Sequence, residues 1–511
     1  MSLTSYLPET LRTVDFNAFI DEYKAKLRNL FDVRANLNQL SLKRGLPPFV
    51  MREIQSKAPL SVFIPEQYGG RGGHVHECLS MLEASSYESL PLSLTMGING
   101  ALFLQPVGKY GTETMKERVL GSFVNDKRMG GLMITEPDYG SDALSMQTHH
   151  TTGADGSYHL KGMKHWAGLT GWADYWLLTA RRRDAHGNLS RDIDFFVSDN
   201  NLPGQQIQVE EYYENLGLYM IPYGRNRVDV KLPADQKLQP KSTGIKMMLD
   251  ILHRSRLQFP GMGMGFLRRM LDEAVDHCRE RMVGGTSLLT YDQVKERLAR
   301  LQAWYTTCSA MCAFTTETAG VEHDLAKNNV SANAIKTVVT DMMQDASQSL
   351  LQLTGAKGYR VNHIAGRSTV DSRPFQIFEG ANDILYQQIS EAVLKSMRRM
   401  KEANIYEYLK TYNLTERAAD YFKETLNFNV DTKMPQRKLV ELGEVLGRVI
   451  SMDFTIRLGE RGFHADLINN ALAVMKQDVE SMVTRFNTSR LAAFVDDYAE
   501  DSGWLSYVPA K

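Results

Sequence analysis

The sequence is short of what many functions require. Its 511 residues include four cysteines, Cys78, Cys278, Cys308 and Cys312, all within helical patterns, which make no disulfide framework. The His149-His150 pair has no further ligands at metal spacing, so no metal is expected. Neither sign of charge prevails. Against 60 acidic residues stand 59 basic ones, and the net charge of -1 gives no bulk attraction to nucleic acid or an anionic membrane. No uninterrupted apolar run reaches the length of a membrane span. Residues 1–21 mix Glu, Arg and Asp among apolar residues, unlike a signal peptide. Repeats, low-complexity tracts and long linkers are also missing. The expectation is a reduced, cytoplasmic protein without a membrane or nucleic-acid role.

What is present suits a large globular fold. Hydrophobic residues make up 43% and charged residues 23%, and 511 residues are too many for one ordinary core. Apolar spacing is helical over 16–31, 50–54 and 78–85, with a glycine-rich turn, Tyr68-Gly-Gly-Arg-Gly-Gly73, between them. Past Met129 the character changes to short β-prone runs at 175–179, 193–197 and 228–232. Helical patterns then return over 268–281 and 291–307. Four units are expected: a helical domain over 1–129, a β domain over 130–240, a helical bundle over 241–400, and a helical extension over 401–511. Within that extension, 439–450 and 467–483 read as amphipathic helices that pack on the core or on a partner subunit.

Three segments carry chemistry. Glu379 sits in Phe375-Gln-Ile-Phe-Glu-Gly-Ala-Asn-Asp383. The following Gly380 permits a bend, and the apolar flank would desolvate the carboxylate and raise its pKa toward a value useful for proton abstraction. The plainer reading is an acid at a helix N-terminus. In Leu132-Met-Ile-Thr-Glu-Pro-Asp-Tyr-Gly-Ser-Asp142, the Thr135 and Ser141 hydroxyls and the backbone N–H groups near Gly140 form a polar loop. Such a loop suits a flat heterocycle and a phosphate, or it is an ordinary turn. In the third, 162–174, Trp166 either lies against a planar ring or fills a core. Gly261-Met-Gly-Met-Gly265 has no preceding strand, and reads as small residues at a helix contact rather than a dinucleotide loop.

Taken together and in order, these segments resemble the acyl-CoA dehydrogenase family. Its Thr-Glu-Pro-x-x-Gly-Ser-Asp, Gly-x-Lys-x-Trp and aromatic-Glu-Gly motifs match 135–142, 162–166 and 378–380. Ile64-Pro-Glu-Gln-Tyr-Gly-Gly70, Lys109-Tyr-Gly-Thr-Glu113 and Gln352-Leu-Thr-Gly-Ala-Lys-Gly-Tyr359 add smaller matches. The resemblance covers about 60–395 and is nearest the very-long-chain branch, with some oxidase-like features. It implies an α+β multidomain fold: an N-terminal helical domain, a middle β-barrel and a C-terminal four-helix domain, here with extra C-terminal helices. It also implies FAD, an acyl-CoA substrate, a homodimer or homotetramer, and electron-transfer flavoprotein as acceptor. Glu379 would remove the α-proton while the β-hydrogen passes as hydride to flavin N5. The resemblance assigns the flavin side to Leu132, Ile134, Thr135, Gly140, Ser141, Trp166 and Gly168. Arg281, Gln352 and Gly355 match positions that reach the FAD of a neighbouring subunit. Arg256 and Gly380 fall to the substrate.

The departures from the family pattern are informative. Some branches carry the base on a helix that here reads Leu252-His-Arg-Ser-Arg256, where Ser255 stands in place of a carboxylate and leaves Glu379 as the candidate. Gly168 replaces a hydroxyl residue near flavin N5, which implies a more open site and makes an O2-using acyl-CoA oxidase the alternative. A flavoprotein with a binding role is a third reading. Gly284-Gly285 replaces an expected Phe-Gly, and Val370-Asp371 an Arg-Asp. The run from His253 to Arg256 is either a CoA phosphate contact or a solvated helix face.

Overall fold

The computed structural model describes residues 14–431, 433–488, 492–499 and 503–509. The N-terminal unit contains α1 (Phe16–Arg28), α2 (Pro48–Gln55), α3 (Val75–Glu88), α4 (Leu90–Tyr110) and α5 (Glu113–Asn125). Side chains start the helices where the backbone donors would be unpaired: the Asp15 carboxylate accepts from the N–H groups of Asn17 and Ala18, and the Thr112 hydroxyl from Met115. By length and composition alone α4 is apolar enough to cross a membrane, but 94% of its most apolar 18-residue window is buried inside the fold. A helix apolar on every side belongs at the centre of a large core.

The middle unit is a seven-stranded sheet, with β1 (Gly130–Met133), β2 (His149–Thr152), β3 (Tyr158–His165), β4 (Tyr175–Arg182), β5 (Asp194–Asp199), β6 (Gln208–Tyr212) and β7 (Gly224–Leu232). The strands run in the order β1-β4-β2-β3-β7-β6, with β5 also paired to β4. The expected β-prone runs fall in β4, β5 and β7. In β7 Val228, Val230 and Leu232 point inward while Asp229 and Lys231 face water, the alternation of a half-exposed strand. β4 is buried along six consecutive residues, as expected of a strand covered on both faces. The sheet path ends at β1 and β6 without pairing them, so this unit is a half-barrel rather than a closed barrel.

The third unit is built on α6 (Gly244–Glu280), a 37-residue helix. It packs with α7 (Asp292–Thr318) and α8 (Asn329–Thr354), α10 (Asn382–Met400) packs on α8, and α9 (Ile364–Ser372) leads into the Glu379 bend. The Gly261, Gly263 and Gly265 reading holds. A Cβ on Gly265 would stand 2.1 Å from the Glu83 carbonyl oxygen of α3, and one on Gly263 would stand 2.5 Å from Val339 of α8. Gly284 and Gly285, both at positive φ, form the turn joining β8 (Met282–Val283) to β9 (Thr286–Ser287). A two-residue hairpin with positive φ at both positions favours glycine and disfavours a phenylalanine there, a local reason for the departure from Phe-Gly. Beyond the bundle, α11 (Ile405–Leu409) precedes two long helices, α12 (Gln436–Glu460) and α13 (Ala465–Asn487), which pack on α7, α8 and α10.

Candidate active site

A cavity of about 280 Å³ opens where the three units meet. Its wall brings together Leu132, Ile134, Thr135, Gly140, Ser141, Trp166, Gly168, Arg256, Glu379 and Gly380, residues up to 248 positions apart (132 to 380). Apolar side chains of α3, α4 and α6, among them Leu82, Leu94, Phe259 and Met262, line the rest. Arg281, Gln352 and Gly355 are not on that wall. Arg281 ends α6 on the surface, Gly355 caps α8, and Gln352 lines a separate cavity with Arg448 and Asp478.

Glu379 lies between α9 and α10 in a strained bend. Its φ is +57°, with Gly380 at +95°. A non-glycine residue in this region costs on the order of 1–2 kcal/mol and persists only where neighbours hold it. Two buried cations do so. Arg256 Nε donates to the Glu379 carbonyl at 2.9 Å, and Lys336 Nζ donates to the Gly380 carbonyl at 2.8 Å. A Cβ at Gly380 would come within 2.9 Å of Leu385 and 3.1 Å of Arg256, so the bend accepts only glycine there.

The carboxylate is held by one oxygen. Ser255 Oγ donates to Oε1 at 3.0 Å, while Oε2 is buried with no hydrogen-bond partner among the described residues. Desolvation raises the Glu379 pKa, opposed by the charge of Arg256, the Ser255 hydrogen bond and the charge of Lys336. Burial in turn pushes the Lys336 ammonium down to about 7. An unpartnered buried oxygen on a carboxylate of raised pKa, carried by a residue on the wall of an apolar cavity, is suited to accept a proton from carbon. Sequence reasoning saw in Ser255 only a missing carboxylate, and it missed Lys336 and Asn333. A serine at the alternative base position was the available signal for the first; neither of the others sits in a recognisable motif.

The flavin-side loop has the opposite character. Glu136, inside Thr-Glu-Pro, is buried and fully engaged: Lys164 Nζ lies 2.9 Å from Oε1, and the N–H groups of Gln147 and Thr148 donate at 2.6 and 2.9 Å. Burial acts to raise its pKa, but Lys164 and these donors outweigh it and hold the carboxyl below its usual range. Lys164 also donates to the Ile134 carbonyl at 3.0 Å, so the pair pins the loop to the half-barrel. Beyond that anchor the loop is open: a Cβ on Gly140 would meet nothing within 4 Å, and Ser141 is exposed. Trp166 has φ +55° and a side chain 55% exposed at the cavity mouth beside Tyr213 and Tyr223. An indole in this setting is a platform awaiting a ring rather than a core residue.

Two expectations change. Gly168 does not leave open space, because a Cβ there would stand 2.7 Å from Ile98 Cδ1 and 3.4 Å from Tyr223; α4 supplies the bulk that the loop lacks. The basic run from His253 to Arg256 is not a solvated face, and His253 and Arg254 are committed to backbone carbonyls. His253 is buried against the Leu325 carbonyl, and burial pushes its pKa down to about 4. Arg254 donates to the carbonyls of Ala319, Gly320 and His323. Arg256 is on the cavity wall, but its Nε and Nη1 are committed to Glu379 and Asn333.

Comparison with known proteins agrees with this architecture. Family models for the acyl-CoA dehydrogenase N-terminal, middle and C-terminal domains match residues 24–127, 131–229 and 242–394. The short-chain specific acyl-CoA dehydrogenase of Megasphaera elsdenii is 25% identical over 348 residues, covering 67% of this chain and 89% of its own length. The mitochondrial very long-chain specific acyl-CoA dehydrogenase of Rattus norvegicus is 25% identical over 63% of this chain, which spans 49% of that relative. Among solved structures, an acyl-CoA dehydrogenase from Bacillus anthracis complexed with FAD superposes with a TM-score of 0.75 at 16% identity, covering 94% of this chain and 91% of its own. Butyryl-CoA dehydrogenase from M. elsdenii gives a TM-score of 0.65 at 23% identity, over 75% of this chain and 100% of its own. Fold and site define a three-unit flavoprotein-type oxidoreductase. The chain belongs to the acyl-CoA dehydrogenase family.

Proposed function

We propose that this protein catalyses the α,β-dehydrogenation of an acyl-CoA thioester to the trans-2-enoyl-CoA, with Glu379 as the base that takes the α-proton. The observation that carries the reading is Glu379 itself, a cavity-wall residue whose buried Oε2 has no hydrogen-bond partner among the described residues. FAD fits the opposite wall, where Thr135, Ser141 and the open Gly140 backbone offer donors and Trp166 offers an uncovered ring face. When bound, FAD supplies the two-electron acceptor that no side chain provides.

The side chains divide the remaining work. Ser255 holds Oε1 and leaves Oε2 without a partner among the described residues. Arg256 and Lys336 keep the bend from relaxing, and their charges oppose the desolvation that raises the carboxyl's pKa. The Glu379 N–H donates to the thioester carbonyl as enolate character develops, a contact worth about 3 kcal/mol in comparable sites. Leu94, Phe259 and Met262 exclude water from the acyl chain. Surface-placed Arg281, Gln352 and Gly355 support a homodimer or homotetramer in which they serve the neighbouring subunit's FAD. The electron acceptor is electron-transfer flavoprotein. Oxidase chemistry drew its support from an open Gly168, and Ile98 closes that position.

The test is an anaerobic titration of the flavin-loaded protein with acyl-CoAs of graded length, followed by admission of air. Bleaching of the flavin band that persists in air for many turnovers supports the dehydrogenase. Stoichiometric peroxide at each turnover would establish the oxidase, and no bleaching with any acyl-CoA would remove both.

A further inference from the structure

The C-terminal extension is bonded to the active-site bend. Arg448 on α12 is 7% exposed and lies beyond residue 394, where the match to the family's C-terminal domain ends. Its Nη2 is 3.5 Å from Asp341 Oδ2 on α8. Asp341 Oδ1 accepts from Asn382 Nδ2 at 2.8 Å and from Gln376 Nε2 at 2.8 Å, and Tyr386 donates its hydroxyl to Oδ2. Asn382 Oδ1 in turn accepts from Lys336 Nζ at 2.9 Å, and Lys336 holds the Gly380 carbonyl. Gln376 and Asn382 thus flank the bend on both sides, and one carboxylate anchors both. The left-handed Glu379 needs such over-determination, because Gly380 relieves the strain only at its own position.

We infer that the extension positions the catalytic base: Arg448 orients Asp341, which through Asn382 and Lys336 fixes the peptide next to Glu379. The inference rests on Glu379 being the base. Arg448, Asp341, Asn382 and Lys336 are positioning residues, and none of them touches the cavity that holds the substrate. The chain of contacts is contiguous, Arg448, Asn382 and Lys336 in it are buried and Asp341 is half-buried, and each link except Arg448–Asp341 is shorter than 3.0 Å. Removing Arg448 leaves Asp341 with three neutral donors and a freed charge, so the register of Asn382 relaxes and the bend with it.

The experiment uses the full-length, flavin-loaded protein and compares Arg448→Met, Arg448→Lys, the isosteric Asp341→Asn, and the double variant. Flavin content, the kcat and KM for the best acyl-CoA, and the pH profile of anaerobic flavin bleaching are read. The expected result is about a tenfold fall in kcat with KM changed less than twofold in Arg448→Met. A displaced acid limb should accompany it, with substantial recovery in Arg448→Lys. The double variant should be no worse than Asp341→Asn alone, since both act on one chain of contacts. Unchanged kcat and pH profile in whichever of Arg448→Met and Asp341→Asn is obtained flavin-loaded would overturn the inference. So would multiplicative losses in the double variant. Glu379→Gln is run beside them: if it keeps activity, the assignment of the base has failed, whereas a dead Glu379→Gln beside an unaffected Arg448→Met removes this inference alone.

Discussion

Glu136 and Glu379 both carry buried carboxylate oxygens near lysines, and they behave as opposites. Glu136 has a lysine and two backbone donors on its oxygens, and its pKa is lowered. Glu379 has one serine on one oxygen, an unpartnered second oxygen and a raised pKa. The lysines differ as well: Lys164 touches the Glu136 carboxylate, whereas Lys336 holds a backbone carbonyl beside Glu379. Burial is common to the two, so burial does not make a base. What separates an anchor from a proton acceptor is whether the protein completes the carboxylate's hydrogen bonds or leaves one for the substrate.

The comparison breaks first at Glu379. Glu379→Gln should lower the anaerobic bleaching rate by about 10²–10⁴-fold, the range of a general base, with flavin content unchanged. The same variant should melt higher than the parent at pH 8 and equally at pH 4. A carboxyl whose folded pKa is raised costs stability only as pH rises above its unfolded pKa, and glutamine escapes that cost. Next in size, Lys164→Met leaves Glu136 charged and buried, and should lower unfolding stability by about 3–5 kcal/mol in a denaturant titration. Ser255→Ala removes a hydrogen bond that lowers the Glu379 pKa, so the acid limb of the rate profile should move to higher pH while stability falls by about 1 kcal/mol. Smallest is Gly168→Ala, whose methyl must displace Ile98; a loss of about 1 kcal/mol, recovered by adding Ile98→Val, is expected on thermal melting.

Much of this was legible in the sequence where a motif and a contact coincide. Glu379, Thr135, Ser141 and Trp166 lie in three short runs, and the fold gathers those runs on one cavity wall. The helix–sheet–helix order followed from apolar periodicity. What stayed hidden depends on partners distant in sequence. Gly168 read as open because Ile98, which fills its space, is 70 positions away (98 to 168). His253 and Arg254 read as phosphate ligands or a solvated face because the carbonyls that bind them belong to residues 319–325. Lys336 and Asp341 sit on a helix of ordinary composition, and only the folded chain brings them to the Glu379 bend.

The central claim is that Glu379 Oε2 is left unpaired to take the substrate's proton. Single-turnover anaerobic flavin bleaching by an acyl-CoA, compared among the parent, Glu379→Gln and Glu136→Gln at equal flavin loading, tests it most directly. The account predicts bleaching slowed by about 10²–10⁴-fold in Glu379→Gln and retained at near-parent rate in whatever folded fraction Glu136→Gln yields. Bleaching of Glu379→Gln at the parent rate would contradict it.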